Sequence, residues 1–242
     1  METKEEVKKE ESKVDAASID RMFAVGAHYG YSKSRRHSSI KPYIFGVKNW
    51  VEIIDLEKTN DLLTSAKEFV KQLGSDGKSI LFVGGKNEAK SAIQEGADSI
   101  NMPHVTGRWI GGTITNFSEI KKRISKMEDL SSKKEKGELA QKYTKKEQVM
   151  LDREINNLKE NFLGIKVMTE IPSAMFVIDT KRERTAISEA KQKGIPTIGL
   201  LNSDSNLNDV DYPIVANDAT QKSIKFFIDE IITSYKEGIN SK

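Results

Sequence analysis

The 242 residues contain no cysteine. That removes disulfides, thiolate zinc sites and cysteine nucleophiles from consideration. Histidine occurs three times, at His28, His37 and His104, too few for a histidine-rich metal cage, so a metal would have to be held by carboxylates. No apolar run approaches the ~20 residues that a membrane-spanning helix requires. The first twenty residues carry four lysines and seven acids around no apolar core. Export signals need a basic start and an apolar stretch, and organelle transit segments avoid acids. The expectation is a cytoplasmic chain with a mobile acidic leader over 1–20.

What is present is enough chain for one large domain or two small ones. Charged residues make up 31% and apolar residues 37%. The net charge of +3 conceals strong segregation. Between positions 21 and 50 lie Arg21, Lys33, Arg35, Arg36, Lys41 and Lys48, with no acid among them. Positions 201–220 hold Asp204, Asp209, Asp211 and Asp218 with no cation. Tyr29, Tyr31, Tyr43, Phe45 and Trp50 interleave with the basic residues, and His28 and His37 lie inside the same stretch. Cations meet phosphates and planar rings stack on unpaired bases, which makes the segment a candidate nucleic-acid contact. A solvated basic loop fits the same pattern.

Along the chain, short apolar runs alternate with amphipathic helices. Tyr43–Phe45 and Val51–Leu56 read as a strand pair about a turn at Gly46–Asn49. Residues 57–73 read as a helix ended by Gly74 and Gly77. The continuous apolar runs at 79–83, 174–178 and 197–201 read as strands covered on both faces. Shorter strands are expected at 103–106 and 212–215. Helices follow around Ala89, Ala92, Ile93 and Ala97, around Ala186, Ile187 and Ala190 before Gly194 and Pro196, and over 224–235. Alternating strands and helices predict a mainly parallel three-layer α/β/α sheet.

One stretch breaks the alternation. Phe117, Ile120, Ile124 and Met127 form one apolar stripe, and Leu151, Ile155, Leu158 and Phe162 form another, both with coiled-coil-like spacing. An antiparallel helical hairpin is therefore expected over 116–168, inserted in an α/β domain made of 21–115 and 169–238, with a tail at 239–242. Asn116 and Glu119 have capping-box spacing at its start.

No catalytic set emerges. Gly84-Gly85-Lys86-Asn87 follows a strand and opens a helix, yet it matches neither the dinucleotide fingerprint nor the P-loop. A close-packed strand-to-helix turn accounts for it. Gly111, Gly112 and Thr113 follow Arg108 and Trp109, a pattern that suits either an anion seat or a tight turn with a structural tryptophan. Asp179, Asn202, Ser203 and Asp204 end strands where turn and capping roles suffice. No catalytic residue, metal ligand or cofactor is predicted. A nucleotide- or phosphate-binding enzyme remains as a fold-level analogy, and the hairpin leaves room for a protein–protein adaptor.

Several runs appear in order: His28-Tyr29-Gly30, the stretch from Lys41 to Gly46 (KPYIFG), Ile53 to Thr59 (IIDLEKT), Leu81 to Gly84, Arg108 to Asn116 (RWIGGTITN), Ala174 to Asp179, Gly194 to Pro196 and Asp211 to Ile214. Together they resemble the bacterial family of the second small-subunit ribosomal protein, over about residues 21–235. The resemblance implies a flavodoxin-like domain with a protruding helical hairpin. It also implies a non-catalytic, ribosome-associated protein that contacts 16S rRNA and neighbouring small-subunit proteins, including the large mRNA-capturing protein one. The rRNA-binding residues expected on this basis are Arg21, His28, Tyr29, Lys33, Arg35, Arg36, Lys41, Arg108, Trp109 and Asn116. Tyr31 stands where the family usually has a second histidine, Arg36-His37-Ser38-Ser39 replaces a Trp-Asn-Pro-Lys-like stretch, and Asn202-Ser203-Asp204 replaces Asp-Thr-Asn.

Overall fold

The computed structural model describes residues 17–241. Most of the expected acidic leader lies outside that range. Its last residues belong to a helix (α1, 17–24), with Met22 buried in the main core and Ile19 packed against it.

A small antiparallel sheet follows. It comprises β1 (Tyr29–Ser32), β2 (Ile44–Lys48) and β3 (Val51–Ile54) in the order β1-β3-β2. The hairpin turn falls on Asn49 and Trp50, both with positive φ (51° and 66°), as a two-residue turn matched to strand twist requires. Gly46 lies inside β2, so the turn sits later than the sequence reading placed it. Two 3-10 turns, Lys33–Arg35 and Ser38–Tyr43, connect β1 to β2.

The main sheet is built from β4 (Ile80–Val83), β5 (His104–Val105), β6 (Ala174–Ile178), β7 (Thr197–Leu201) and β8 (Tyr212–Val215). All of its pairings are parallel and the order is β5-β4-β6-β7-β8. Numbered from β4, this is the 2-1-3-4-5 order of flavodoxin-like sheets. Side chains alternate across it. Ile80, Phe82, Phe176, Ile178, Ile198 and Leu200 face one core, whereas Leu81, Val83, Met175, Val177 and Leu201 face the other. This double burial is why the strands read as unbroken apolar runs.

Helices α2 (Leu56–Asp76), α3 (Asn87–Asp98) and α8 (Gln221–Asn240) cover the first face. Asp55 caps α2 by accepting the Glu57 amide at 3.2 Å. The helix ends at Gly77, which takes the left-handed conformation at φ 68°. Gly74, by contrast, is helical. A Cβ there would collide with the Tyr235 carbonyl oxygen, and one on Gly238 with that of Lys71. These two glycines let the backbones of α2 and α8 approach closely.

On the second face lie α4 (Phe117–Glu135), α6 (Lys145–Phe162) and α7 (Arg184–Lys193), with the short α5 (Glu138–Lys142) between α4 and α6. Ile120, Ile124 and Met127 of α4 and Leu158 and Phe162 of α6 are buried in one cluster with Ala186, Ile187 and Ala190 of α7. Lys126 pairs with Glu154, and Lys134 pairs with Asp152 at 2.8 Å, so ion pairs link α4 to α6. Asn116 makes no side-chain cap. The capping box is at the start of α6, where Glu147 accepts both the backbone N–H and the hydroxyl of Thr144 at 2.9 Å. Asn116 Oδ1 instead accepts from the Ser118 hydroxyl at 3.4 Å.

Candidate nucleic-acid interface

In a 2-1-3-4-5 sheet the ligand crevice opens at the switch point, here between the carboxyl ends of β4 and β6. There the chain pairs ions of its own. Lys86, in the turn after β4, places Nζ 2.9 Å from Asp179 Oδ2 and 2.7 Å from Asp218 Oδ2. Asn202 Nδ2 donates to the other Asp218 oxygen at 2.9 Å. Burial alone would depress the Lys86 ammonium, but Asp218 and Asp179 outweigh it and hold the group above the ordinary lysine value. Gly84 is packed tightly, since a Cβ would lie 2.5 Å from Ile93 Cδ1. Ser203 donates its amide to Asn202 Oδ1 at 2.7 Å, and Asp204 pairs with Lys181 at 3.0 Å. Each of these polar groups at the strand ends is thus engaged within the fold.

The loop from Arg108 to Asn116 folds around a residue that sequence reading passed over. Glu189 of α7 is 7% exposed. Its Oε1 accepts the Trp109 indole N–H at 3.0 Å and the Gly112 amide at 2.8 Å. Its Oε2 accepts the amides of Ile114 and Thr115 at 3.1 Å and the Thr115 hydroxyl at 3.0 Å. Burial would raise this carboxyl, but the indole and the three amides hold it below the usual carboxylate range. Gly112 sits at φ 92°, which only glycine adopts freely. Trp109 is therefore a buried strut, while Arg108, Gly111 and Asn116 are exposed.

The basic segment is docked onto the acidic one, at the other edge of the sheet. Tyr31 N–H donates to Ser203 Oγ at 2.9 Å, and His37 N–H to the Ser203 carbonyl at 2.9 Å. The Leu207 amide reaches Ser39 Oγ at 3.1 Å, and Asn217 Nδ2 reaches the Gly26 carbonyl at 2.9 Å. Docking sorts the predicted contacts. Arg36 NH1 lies 3.1 Å from Oε1 of Glu52, a carboxylate with no exposed surface. His28 is buried, stacked on Phe23 (centroids 4.4 Å apart) and tilted against Tyr29 (4.1 Å), and burial lowers its pKa. Arg21 pairs with Glu230 at 3.2 Å and lies over the Phe226 ring. Lys33, Arg35 and Lys41 remain exposed and outside any ion pair among the described residues, with Arg35 over the Tyr31 ring at 5.6 Å. Tyr29 is half exposed.

The structure does not bring all ten predicted residues into one patch. Arg108, Trp109 and Asn116 follow β5 at one edge of the sheet, and the 21–41 group lies beyond β7 and β8 at the other. The sequence signal for Glu52 was its place as an acid in the apolar alternation VEII; for Glu189 no local pattern exists.

A wound α/β sheet whose switch-point lysine is taken up by two of its own aspartates, with a basic segment folded along one edge, has the form of a scaffold. The comparisons with known proteins agree. The family model described as ribosomal protein S2 matches residues 22–238. Small ribosomal subunit protein uS2 of Coprothermobacter proteolyticus is 38% identical over 221 residues, covering 91% of this chain and 82% of that protein. Small ribosomal subunit protein uS2c of Rhodomonas salina is 38% identical over 225 residues, covering 93% and 92%. The uS2 of Salinibacter ruber is also 38% identical, covering 93% and 70%. The chain belongs to the ribosomal protein S2 family, and so is a structural component of the small ribosomal subunit and not an enzyme.

Proposed function

We propose that the chain binds 16S rRNA through the outward side of the 21–48 segment, with Lys33, Arg35 and Lys41 on phosphates and Tyr29 beside them. The observation that carries this is the division of the segment into inner and outer cations: it contains no acid, and these three cations have no ion-pair partner among the described residues. Arg108 and Asn116 form a second contact at the other edge of the sheet. Arg21 reaches outward only from its pair with Glu230, whereas Arg36, His28 and Trp109 act by holding shape. In this reading α4 to α6 form a coiled-coil hairpin inserted over 116–168 that meets neighbouring small-subunit proteins. Recruitment of the large mRNA-capturing protein one is a further part of the role, exercised in the cytoplasm.

The test is incorporation of Lys33→Glu/Arg35→Glu into small subunits, read by sucrose-gradient sedimentation. The variant should fold normally and co-sediment weakly. Wild-type incorporation overturns the placement. Arg36 is left intact in this test because reversing it would set two carboxylates against each other inside the fold.

A further inference from the structure

We infer that the cleft at the carboxyl ends of β4 and β5 is a phosphoryl-binding site, and that its occupant is a backbone phosphate of RNA. The inference rests on the ribosomal reading above and adds a site to it.

The cleft has a volume of about 640 Å³ and is walled by three elements. Lys90 comes from the first turn of α3, Arg108 from the loop after β5, and Arg182 from the turn before α7. All three side chains are exposed and none is in an ion pair among the described residues. Elsewhere this molecule pairs its lysines freely, as with Lys126, Lys134 and Lys166. Like charges gathered from separate elements raise the local potential and attract an anion. Arginine forks in particular suit phosphate oxygens.

The floor is formed at Gly85, where a Cβ would lie 2.7 Å from Glu183 Oε1, 3.0 Å from the Gly107 carbonyl oxygen and 3.7 Å from Arg182 Nε. Glu183 already takes the Gly85 amide at 3.1 Å. An incoming anion is therefore held by the side chains and not by the start of α3. Glu183 and Glu160 are the carboxylates in the cleft. Burial pushes the Glu183 carboxyl up, against the Gly85 amide and Arg182, which favour its charged form.

Two features favour a polymer over a free nucleotide. The cleft continues into a second hollow of about 280 Å³ that shares Lys90 and Arg108 and adds Lys159, alongside Asp98. The aromatic ring in the wall, Trp109, is committed to Glu189 and offers no slot for a base.

The test uses the full chain with 16S rRNA in filter binding between 50 and 200 mM salt, for the wild type, Lys90→Gln/Arg108→Gln/Arg182→Gln, and the control Lys222→Gln/Lys236→Gln. The triple variant should bind at least tenfold more weakly, with a salt slope shallower by about 0.7–0.9 for each phosphate that is no longer neutralised. The control should change less than twofold. Should the triple variant fold poorly, Arg182→Gln alone should shift affinity in the same direction. Wild-type affinity and slope in a folded cleft variant overturn the site while leaving the 21–48 contact standing. No rRNA binding by the wild type overturns both. A competition arm follows the Trp109 indole N–H by NMR with inorganic phosphate. Saturation that rRNA cannot displace assigns the cleft to a free phosphate and overturns the RNA source.

Discussion

Replacing Arg36 with alanine separates an arginine held by the fold from an exposed neighbour. Its guanidinium lies 3.1 Å from a carboxylate that has no exposed surface, and its own side chain is 24% exposed. At an effective dielectric of about 20, two unit charges at that separation attract by about 5 kcal/mol. Removing one member of a buried pair costs about 3–5 kcal/mol, because the remaining charge stays desolvated. Partial exposure of Arg36 admits some water, so a smaller loss, about 2–4 kcal/mol, is expected for Arg36→Ala. Glu52→Gln removes the stranded charge. The double variant Arg36→Ala/Glu52→Gln should therefore lose less than the sum of its single changes, with a coupling of at least about 1 kcal/mol. Arg35→Ala, one position away but exposed, should stay within about 0.5 kcal/mol of wild type. Urea unfolding of the free protein, followed by tryptophan fluorescence and circular dichroism, reads all four. If Arg36→Ala is as stable as wild type, or if Arg35→Ala costs as much, the assignment of Arg36 to the fold is wrong.

Glu189→Ala should cost about 3–5 kcal/mol in the same assay, since it strands the buried Ile114 amide and the Trp109 indole among five donors. A loss under about 1 kcal/mol would show that the loop holds its shape without the carboxylate. Because the folded Glu189 carboxyl lies below its ordinary value, its contribution is full above the unfolded carboxylate pKa and is lost as pH falls through the folded one; in Glu189→Ala the acid-side decline below about pH 4 should be shallower. His28 and His104 are both lowered by burial, so the unfolded chain takes up protons first and stability should fall as pH drops below about 6.5. A urea midpoint that is flat from about pH 7 to 5.5 contradicts this. Trp50→Gly removes an exposed ring from a left-handed position (φ 66°) and creates the Asn-Gly turn that hairpins prefer; a gain of about 0.5–1 kcal/mol is expected, and a loss would show that the indole packs.

The main sheet was legible because burial on both faces leaves no alternation to misread: AMFVI and TIGLL can only be covered strands or helix fragments, and Gly194 followed by Pro196 excludes a helix running through. Helix α8 announced itself by Ile224, Phe227, Ile228, Ile231, Ile232 and Tyr235, all buried. What escaped is held together by partners distant in sequence. Strand β1, YGYS, has no apolar pattern and exists because Tyr29 pairs with Ile53 and because Gly30 leaves room beside Glu52 and Ser203. The capping-box spacing at Asn116 was present in the sequence, but the residue makes no side-chain cap, and its neighbour Thr115 is held by the distant Glu189.

The same distance effect limited the reading of the interface. A count of cations treats Arg35 and Arg36 alike, and only the position of Glu52 tells them apart. Charge segregation along the chain does not report which charges meet: the stretch 201–218 receives the basic segment through neutral groups (Ser203, Leu207, Asn217), its acids Asp204 and Asp218 pair with Lys181 and Lys86, and Lys33, Arg35 and Lys41 are left exposed. At the switch point the logic is inverted. A lysine that in an open crevice would serve a phosphate is turned inward onto Asp179 and Asp218, and removing it, as in Lys86→Met, leaves two carboxylates facing each other at the end of the sheet. The fold therefore commits its switch-point lysine to its own carboxylates, and the cations left without ion-pair partners among the described residues include Lys33, Arg35 and Lys41 by one edge of the sheet and Arg108 by the other.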